Sequence, residues 1–207
     1  MFSDQDLQVM DSIIKRYPRS RSAIMPLLHY VQSKAGYVTH EGIELIAQLL
    51  TIESAEVSAV ATFYTQYKRK PVGEYHVGVC TNTLCAVMDG DAIFAGLKEH
   101  LGIENDGVTD DGKVSLEHIE CNAACDYAPV VMANWEFYDN QTVQSSKDLV
   151  DAMRHGNPPA PTRGPNSLPT WKENSAVLAG INDGRAHEGL QAGEPTLLGL
   201  KLSKEGK

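Results

Sequence analysis

The chain has 207 residues, 42% of them apolar, and a formal net charge of −9. That length allows one or two domains, and the excess of carboxylates argues against nucleic acid as a partner, because phosphate contacts need basic patches. The longest apolar runs, such as Ala128 to Ala133, fall far short of the roughly 18–20 residues of a membrane span, so no direct membrane insertion is expected.

The opening Met1-Phe2-Ser3-Asp4-Gln5-Asp6 is acidic and lacks the basic flank and apolar core of a signal peptide. The expected setting is therefore a reducing cytoplasm, where clustered cysteines bind metal more often than they form disulfides.

Residues 1–72 are expected to form a helical bundle with short connections. Ser3 and Asp6 have capping-box spacing, and Leu7, Met10, Ile13 and Ile14 follow a helical period until Pro18. A second helix starts near Ser20 or Ser22, carries Ile24, Leu27, Leu28 and Val31, and ends at Gly36. Thr39 caps a third, with Ile43, Ile46, Ala47 and Leu50 on one face. The fourth starts near Glu53-Ser54 and carries Val57, Val60, Phe63 and Tyr64. The basic run Lys68-Arg69-Lys70 that follows reads as a solvated loop or helix end.

Residues 73–156 change period. Tyr75 to Val79 alternates like a strand and delivers Cys80. A helix runs from Asp89 to Leu101 and is closed by Gly102; Val114 to Ile119 is a second strand, delivering Cys121. Two more strands are expected at Pro129–Ala133 and Trp135–Tyr138, turned near Asn134, and a last helix opens near Ser145 and ends at Gly156. The order β-α-β-β-β-α suggests a small open sheet with helices packed on it. Residues 157–207 are broken by Pro158, Pro159, Pro161, Pro165, Pro169 and Pro195, and their apolar residues have no clean period. This stretch is expected to be an extended tail that wraps a partner, because Trp171, Leu197 and Leu198 have little reason to sit in open solvent.

The chain has four cysteines, in two pairs: Cys80-Thr-Asn-Thr-Leu-Cys85 and Cys121-Asn-Ala-Ala-Cys125. Each pair follows a strand, at the end where open α/β sheets place ligands. Four thiolates can hold one zinc ion or one [2Fe–2S] cluster. Structural zinc prefers tighter knuckles, commonly with two intervening residues, whereas two irons each needing two thiolates match two pairs on two loops. The spacing thus favours iron–sulfur and leaves a zinc-stapled scaffold open. His76 and His118 fall within the strands and are expected to pack or face solvent rather than bind metal.

A further set of motifs stands in order: Gly36-Tyr37-Val38, Val60-Ala61-Thr62-Phe63-Tyr64, Val79-Cys80-Thr81-Asn82, Glu120-Cys121 to Cys125, and Ala128-Pro129-Val130-Val131. Together they resemble the small thioredoxin-like [2Fe–2S] subunit of respiratory NADH:quinone oxidoreductase, complex I, over about residues 5 to 155. The resemblance implies an N-terminal helical bundle (1–72) followed by a thioredoxin-like α/β [2Fe–2S] ferredoxin domain (73–156), an α+β fold, while the irregular C-terminal tail (157–207) lies beyond it and is longer than in many relatives. It also implies that Cys80, Cys85, Cys121 and Cys125 hold one [2Fe–2S] cluster. Many members have Leu-Gly after the third cysteine, where this chain has Asn122-Ala123, which bears on the local turn.

The sequence has no G-x-G-x-x-G and no P-loop, and no catalytic residue is assigned to it. The resemblance implies instead that FMN and NADH sit on a partner subunit, beside a larger iron–sulfur subunit. This chain would be a cytoplasmic, peripheral subunit at the inner face of a bacterial membrane, serving as electron relay or store. Equivalent subunits occur in NAD-dependent formate dehydrogenases and NAD-reducing hydrogenases. Asp89, Asp91, Glu117, Glu120 and Asp126 lie near the cysteines in sequence and, where they face a cluster, would lower its potential toward roughly −400 mV.

Overall fold

The computed structural model describes residues 2–206. The chain divides into two compact units: residues up to Val72 with Trp171–Asp183, and Gly73–Thr170 with the residues from Gly184 onward.

In the first unit, α1 (Asp4–Ile14) opens with the expected capping box, in which the Asp6 N–H donates to Ser3 Oγ at 3.2 Å and the Ser3 N–H to Asp6 Oδ2 at 2.8 Å. Helix α2 (Ile24–Ala35) is the centre of the bundle, and Leu27, Leu28, Tyr30, Val31 and Gln32 are all buried. It stops at Gly36, whose φ of 86° suits a residue without Cβ. Thr39 caps α3 (His40–Leu50), its side-chain oxygen accepting from the Gly42 N–H. α3 closes onto α2 at Gly42, where a Cβ would lie 2.4 Å from Val31 Cγ1. Helix α4 (Ser54–Phe63) ends earlier than its apolar period suggests: Tyr64 is already extended, and both Phe63 and Tyr64 are exposed rather than packed in the bundle.

The second unit is built on a five-stranded mixed sheet, ordered β2-β3-β1-β4-β5. Its strands are β1 (Tyr75–Cys80), β2 (Gly107–Val108), β3 (Val114–Ile119), β4 (Val131–Ala133) and β5 (Glu136–Tyr138). β1 and β3 run parallel, with Cys80 opposite Ile119; the other pairs are antiparallel. Alternation along the strands sorts the two faces. Val77, Val79, Val114, Leu116, Val131 and Ala133 share a core with α6 (Gly90–Leu101) and α7 (Val143–Arg154). Cys80, Ile119, Val130 and Met132 belong to a separate cluster with Cys85 and Ala124. The β4–β5 turn is made by Asn134 and Trp135, both with positive φ, 49° and 68°. Buried Asn134 holds that turn to β1: its Oδ1 accepts from the His76 N–H at 2.7 Å.

The described part of the expected tail, residues 157–206, is not one extended segment. Trp171–Leu178 form α8, which packs on α2 in the first unit, and Glu194–Lys204 form α9 in the second. Trp171 is 2% exposed, and its Nε1–H donates to the Gly36 carbonyl at 2.8 Å, one of the carbonyls left open where α2 ends. The cover that this tryptophan requires thus comes from the chain's own bundle. Among the described residues no helix is long and apolar enough to cross a membrane.

Candidate iron–sulfur site

Cys80 is the last residue of β1, and Cys121 follows the end of its parallel neighbour β3 by two residues. Both cysteine loops therefore leave the same end of the sheet. The first continues into a short helix, α5 (Thr83–Val87), which carries Cys85 inward. Asn82 stitches this loop to the other: its Nδ2 donates to the Ile119 carbonyl at 3.1 Å. Two glycines permit the close approach. A Cβ on Gly78 would lie 2.7 Å from Ile119 Cγ2, and one on Gly90 would lie 2.6 Å from the Cys80 oxygen and 2.8 Å from the Cys85 oxygen. The start of α6 thus rests directly on the backbone of the first loop.

The second loop turns at Ala123, which has a φ of 55°. This left-handed conformation costs a residue with a Cβ about 1 kcal/mol or more relative to glycine. The turn lets the Ala123 N–H donate to Cys121 Sγ at 3.4 Å. Cys125 then opens a single 3-10 turn ending at Tyr127.

All four predicted ligands line one pocket, together with Asn122, Ala124 and Val130. All four are free thiols, Cys80 and Cys85 buried and Cys121 and Cys125 exposed. Cys121 Sγ and Cys125 Sγ are 3.7 Å apart. Among the described residues no three His, Cys, Asp or Glu side chains are grouped as around a single ion. Val130 ties β4's approach to the first pair, its carbonyl accepting from the Cys80 N–H at 3.1 Å. Burial pushes the Cys85 thiol up to about 11, and its neighbour Cys121 pushes Cys125 upward. Metal-free, these sulfurs hold their protons, and taking up iron must release them.

Neither histidine lines the pocket. His76 is buried, with Nδ1 2.9 Å from Ser115 Oγ and Nε2 2.8 Å from Glu117 Oε2, while exposed His118 packs edge-on against Phe94. Two of the five nearby carboxylates have partners of their own: Glu117 is held by His76, and Asp126 accepts from Thr196 Oγ1 at 2.6 Å. The supporting contacts of Asn82, Gly90 and Val130 do not follow from the cysteine spacing; Asn82 and Val130 lie in the motifs quoted above, and Gly90 has no such signal.

Residues 10–154 match the thioredoxin-like [2Fe–2S] ferredoxin family, and the chain belongs to it. Similar proteins, named as subunits of NADH-quinone oxidoreductase, occur in Mycobacterium tuberculosis strain H37Rv, at 58% identity over 194 residues (93% of this chain, 77% of the relative), and in Rickettsia bellii, at 40% over 157 residues (74% and 94%). A solved chain of an air-oxidized NAD+-reducing [NiFe]-hydrogenase shares the fold, with a TM-score of 0.58 at 16% identity. That match covers 65% of this chain and 23% of the hydrogenase chain.

Proposed function

We propose that this chain is the electron-transfer iron–sulfur subunit of the NADH-oxidising module of a respiratory NADH:quinone oxidoreductase, and that Cys80, Cys85, Cys121 and Cys125 hold its one [2Fe–2S] cluster. The observation that carries the assignment is that two loops, leaving the same end of the sheet, bring four thiols into one pocket. The donor set is chemically suited to the cluster: four soft sulfur ligands in two pairs, with no histidine in the lining. The relatives named for NADH-quinone oxidoreductase support the choice of complex over a formate dehydrogenase or hydrogenase.

A bound [2Fe–2S] cluster supplies one-electron chemistry. The chain's residues divide the remaining work. Cys80 and Cys85, each 3% exposed, hold the inner half of the site away from water. Cys121 and Cys125 sit at the surface, within reach of a partner protein. The Ala123 N–H, which donates to Cys121 Sγ, offsets negative charge on sulfur. FMN and NADH belong, in this reading, to a partner subunit, with a larger iron–sulfur subunit beside it, and the assembly sits at the inner face of the cell membrane.

The test is iron and sulfide analysis of the purified chain with EPR after dithionite reduction. A reddish protein with one reducible [2Fe–2S] signal supports the reading. A colourless, zinc-containing, EPR-silent protein would replace it with a zinc-stapled scaffold.

A further inference from the structure

The two halves of the site are held differently. Cys80 and Cys85 are buried, and α5, Asn82 and Gly90 fix their loop. Cys121 and Cys125 are exposed, and their loop runs through the left-handed turn at Ala123 into a single 3-10 turn, Cys125–Tyr127. Bracing for this second loop comes from residues of the same unit that lie beyond 154, where the family match stops.

Half-buried Tyr127 is the point of attachment. The Arg163 guanidinium lies over its ring, 4.8 Å from the centroid, and over the Phe137 ring at 3.9 Å. Arg163 is itself pinned: Nε donates to Asp139 Oδ2 at 2.9 Å and Nη2 donates to Oδ1 at 3.2 Å, and Asp139 is buried. At the far end of the ring, Gly193 lies so close that a Cβ there would collide with the Tyr127 hydroxyl. Thr196, in the first turn of α9, donates Oγ1 to Asp126 Oδ2 at 2.6 Å and has the Tyr127 hydroxyl 3.5 Å away. The two stretches are also tied to each other, the Gly164 N–H donating to the Leu190 carbonyl at 2.8 Å and the Asn166 N–H to Glu188 Oε2 at 3.0 Å.

We infer that Arg163 and Thr196 are positioning residues: with Gly193 they form a clasp on Asp126 and Tyr127 that presets the Cys121–Cys125 loop for its cluster. Both act through residues adjoining Cys125 and touch neither cysteine of the first pair. A ligand loop set in place beforehand loses less freedom when it binds, and groups that orient metal ligands are typically worth about 10- to 100-fold in metal affinity. The inference rests on the function proposed above and gives the chain beyond residue 157 a part in holding the cluster.

The experiment loads the full-length chain with iron and sulfide and follows cluster loss to a chelator by visible absorbance. EPR of the reduced protein, and amide hydrogen exchange of the metal-free protein, accompany it. Tyr127→Leu removes the ring from beneath Arg163 while leaving Arg163 its Asp139 and Phe137 partners; Tyr127→Phe keeps the ring. Thr196→Val, at an exposed position, removes the hydroxyl donor at nearly constant shape and should leave the unfolding midpoint unchanged. Tyr127→Leu is expected to lose its cluster about tenfold faster than wild type with a broadened EPR line, and Thr196→Val about threefold faster. Tyr127→Phe should return to within about twofold of wild type. In the metal-free Tyr127→Leu chain, exchange should quicken at residues 121–127 and stay unchanged at residues 80–87. Wild-type rates of cluster loss and exchange in both Tyr127→Leu and Thr196→Val overturn the clasp and leave the proposed function intact. Exchange that quickens equally in the two loops makes Tyr127 a general packing residue and also overturns it. Wild-type chain that takes up no [2Fe–2S] cluster overturns the proposed function and the clasp together.

Discussion

Cys80 and Ile119 are register partners across the parallel strands β1 and β3. That pairing brings two cysteine loops, remote in sequence, to the same place: one begins at Cys80, and the other two residues beyond Ile119. Glycine at position 78 lets the Ile119 side chain lie over β1 beside the site.

Gly90 is expected to be intolerant of a side chain. A Cβ there meets backbone atoms of Cys80 and Cys85, at 2.6 and 2.8 Å, and backbone cannot rotate aside. Gly90→Ala should destabilise the domain by about 1–3 kcal/mol and reduce cluster content. Iron per chain and the visible absorbance ratio, alongside far-UV circular dichroism, check this; full cluster content with unchanged stability would contradict it.

Ala123 predicts the opposite sign. Its left-handed φ of 55° is the conformation glycine adopts without penalty. Ala123→Gly should therefore stabilise the chain by about 0.5–1 kcal/mol and keep the cluster. Denaturant unfolding decides, and a loss of stability would show that the alanine methyl packs usefully.

His29 makes the stability of the chain depend on pH. Burial lowers its pKa from the ordinary 6.5 to about 4. Its folded pKa is thus depressed, so the unfolded chain takes up a proton first as the solution is acidified. The contribution is fully present above pH 6.5 and is lost as pH falls toward 4, amounting to about 3 kcal/mol at the low end. His29→Gln should flatten this part of the profile relative to wild type, measured by urea unfolding at pH 7 and pH 4.5. Parallel profiles would contradict it.

Trp171 should be the most costly residue to truncate beyond residue 157. Trp171→Ala opens a cavity against α2 and leaves the Gly36 carbonyl without this donor. The expected loss is about 3–5 kcal/mol by equilibrium unfolding, whereas Leu198→Ala on exposed α9 should change stability by less than about 0.5 kcal/mol.

What the sequence revealed follows from where each signal resides. Ser3 with Asp6, Thr39 and Gly36 are local signals, and they mark helix ends as expected. The strand ends that deliver Cys80 and Cys121 were legible because alternation and cysteine spacing agree. Other elements depend on tertiary partners. Two-residue β2 is defined only by its pairing with β3. Helix α8 has eight residues and a weak apolar pattern, and it packs through Trp171 on a helix end far away in sequence. The same limit applies to α4: its apolar period runs on through Tyr64, but the backbone leaves the helix there and turns the aromatics outward. Within the candidate site, the four cysteines stand out in the sequence by their chemistry, and Asn82 and Val130 lie in motifs beside them, whereas the packing of Gly90 on the backbone of the first loop is a tertiary contact that no residue pattern announces.

The cluster assignment is tested most directly by EPR of the dithionite-reduced full-length chain, quantified against its iron content. About two irons and two sulfides per chain are expected, with one electron taken up and a single spin signal, all lost together in Cys85→Ser or Cys121→Ser variants that otherwise keep the fold. A wild-type chain holding one zinc ion, with no visible absorption and no signal on reduction, would contradict it.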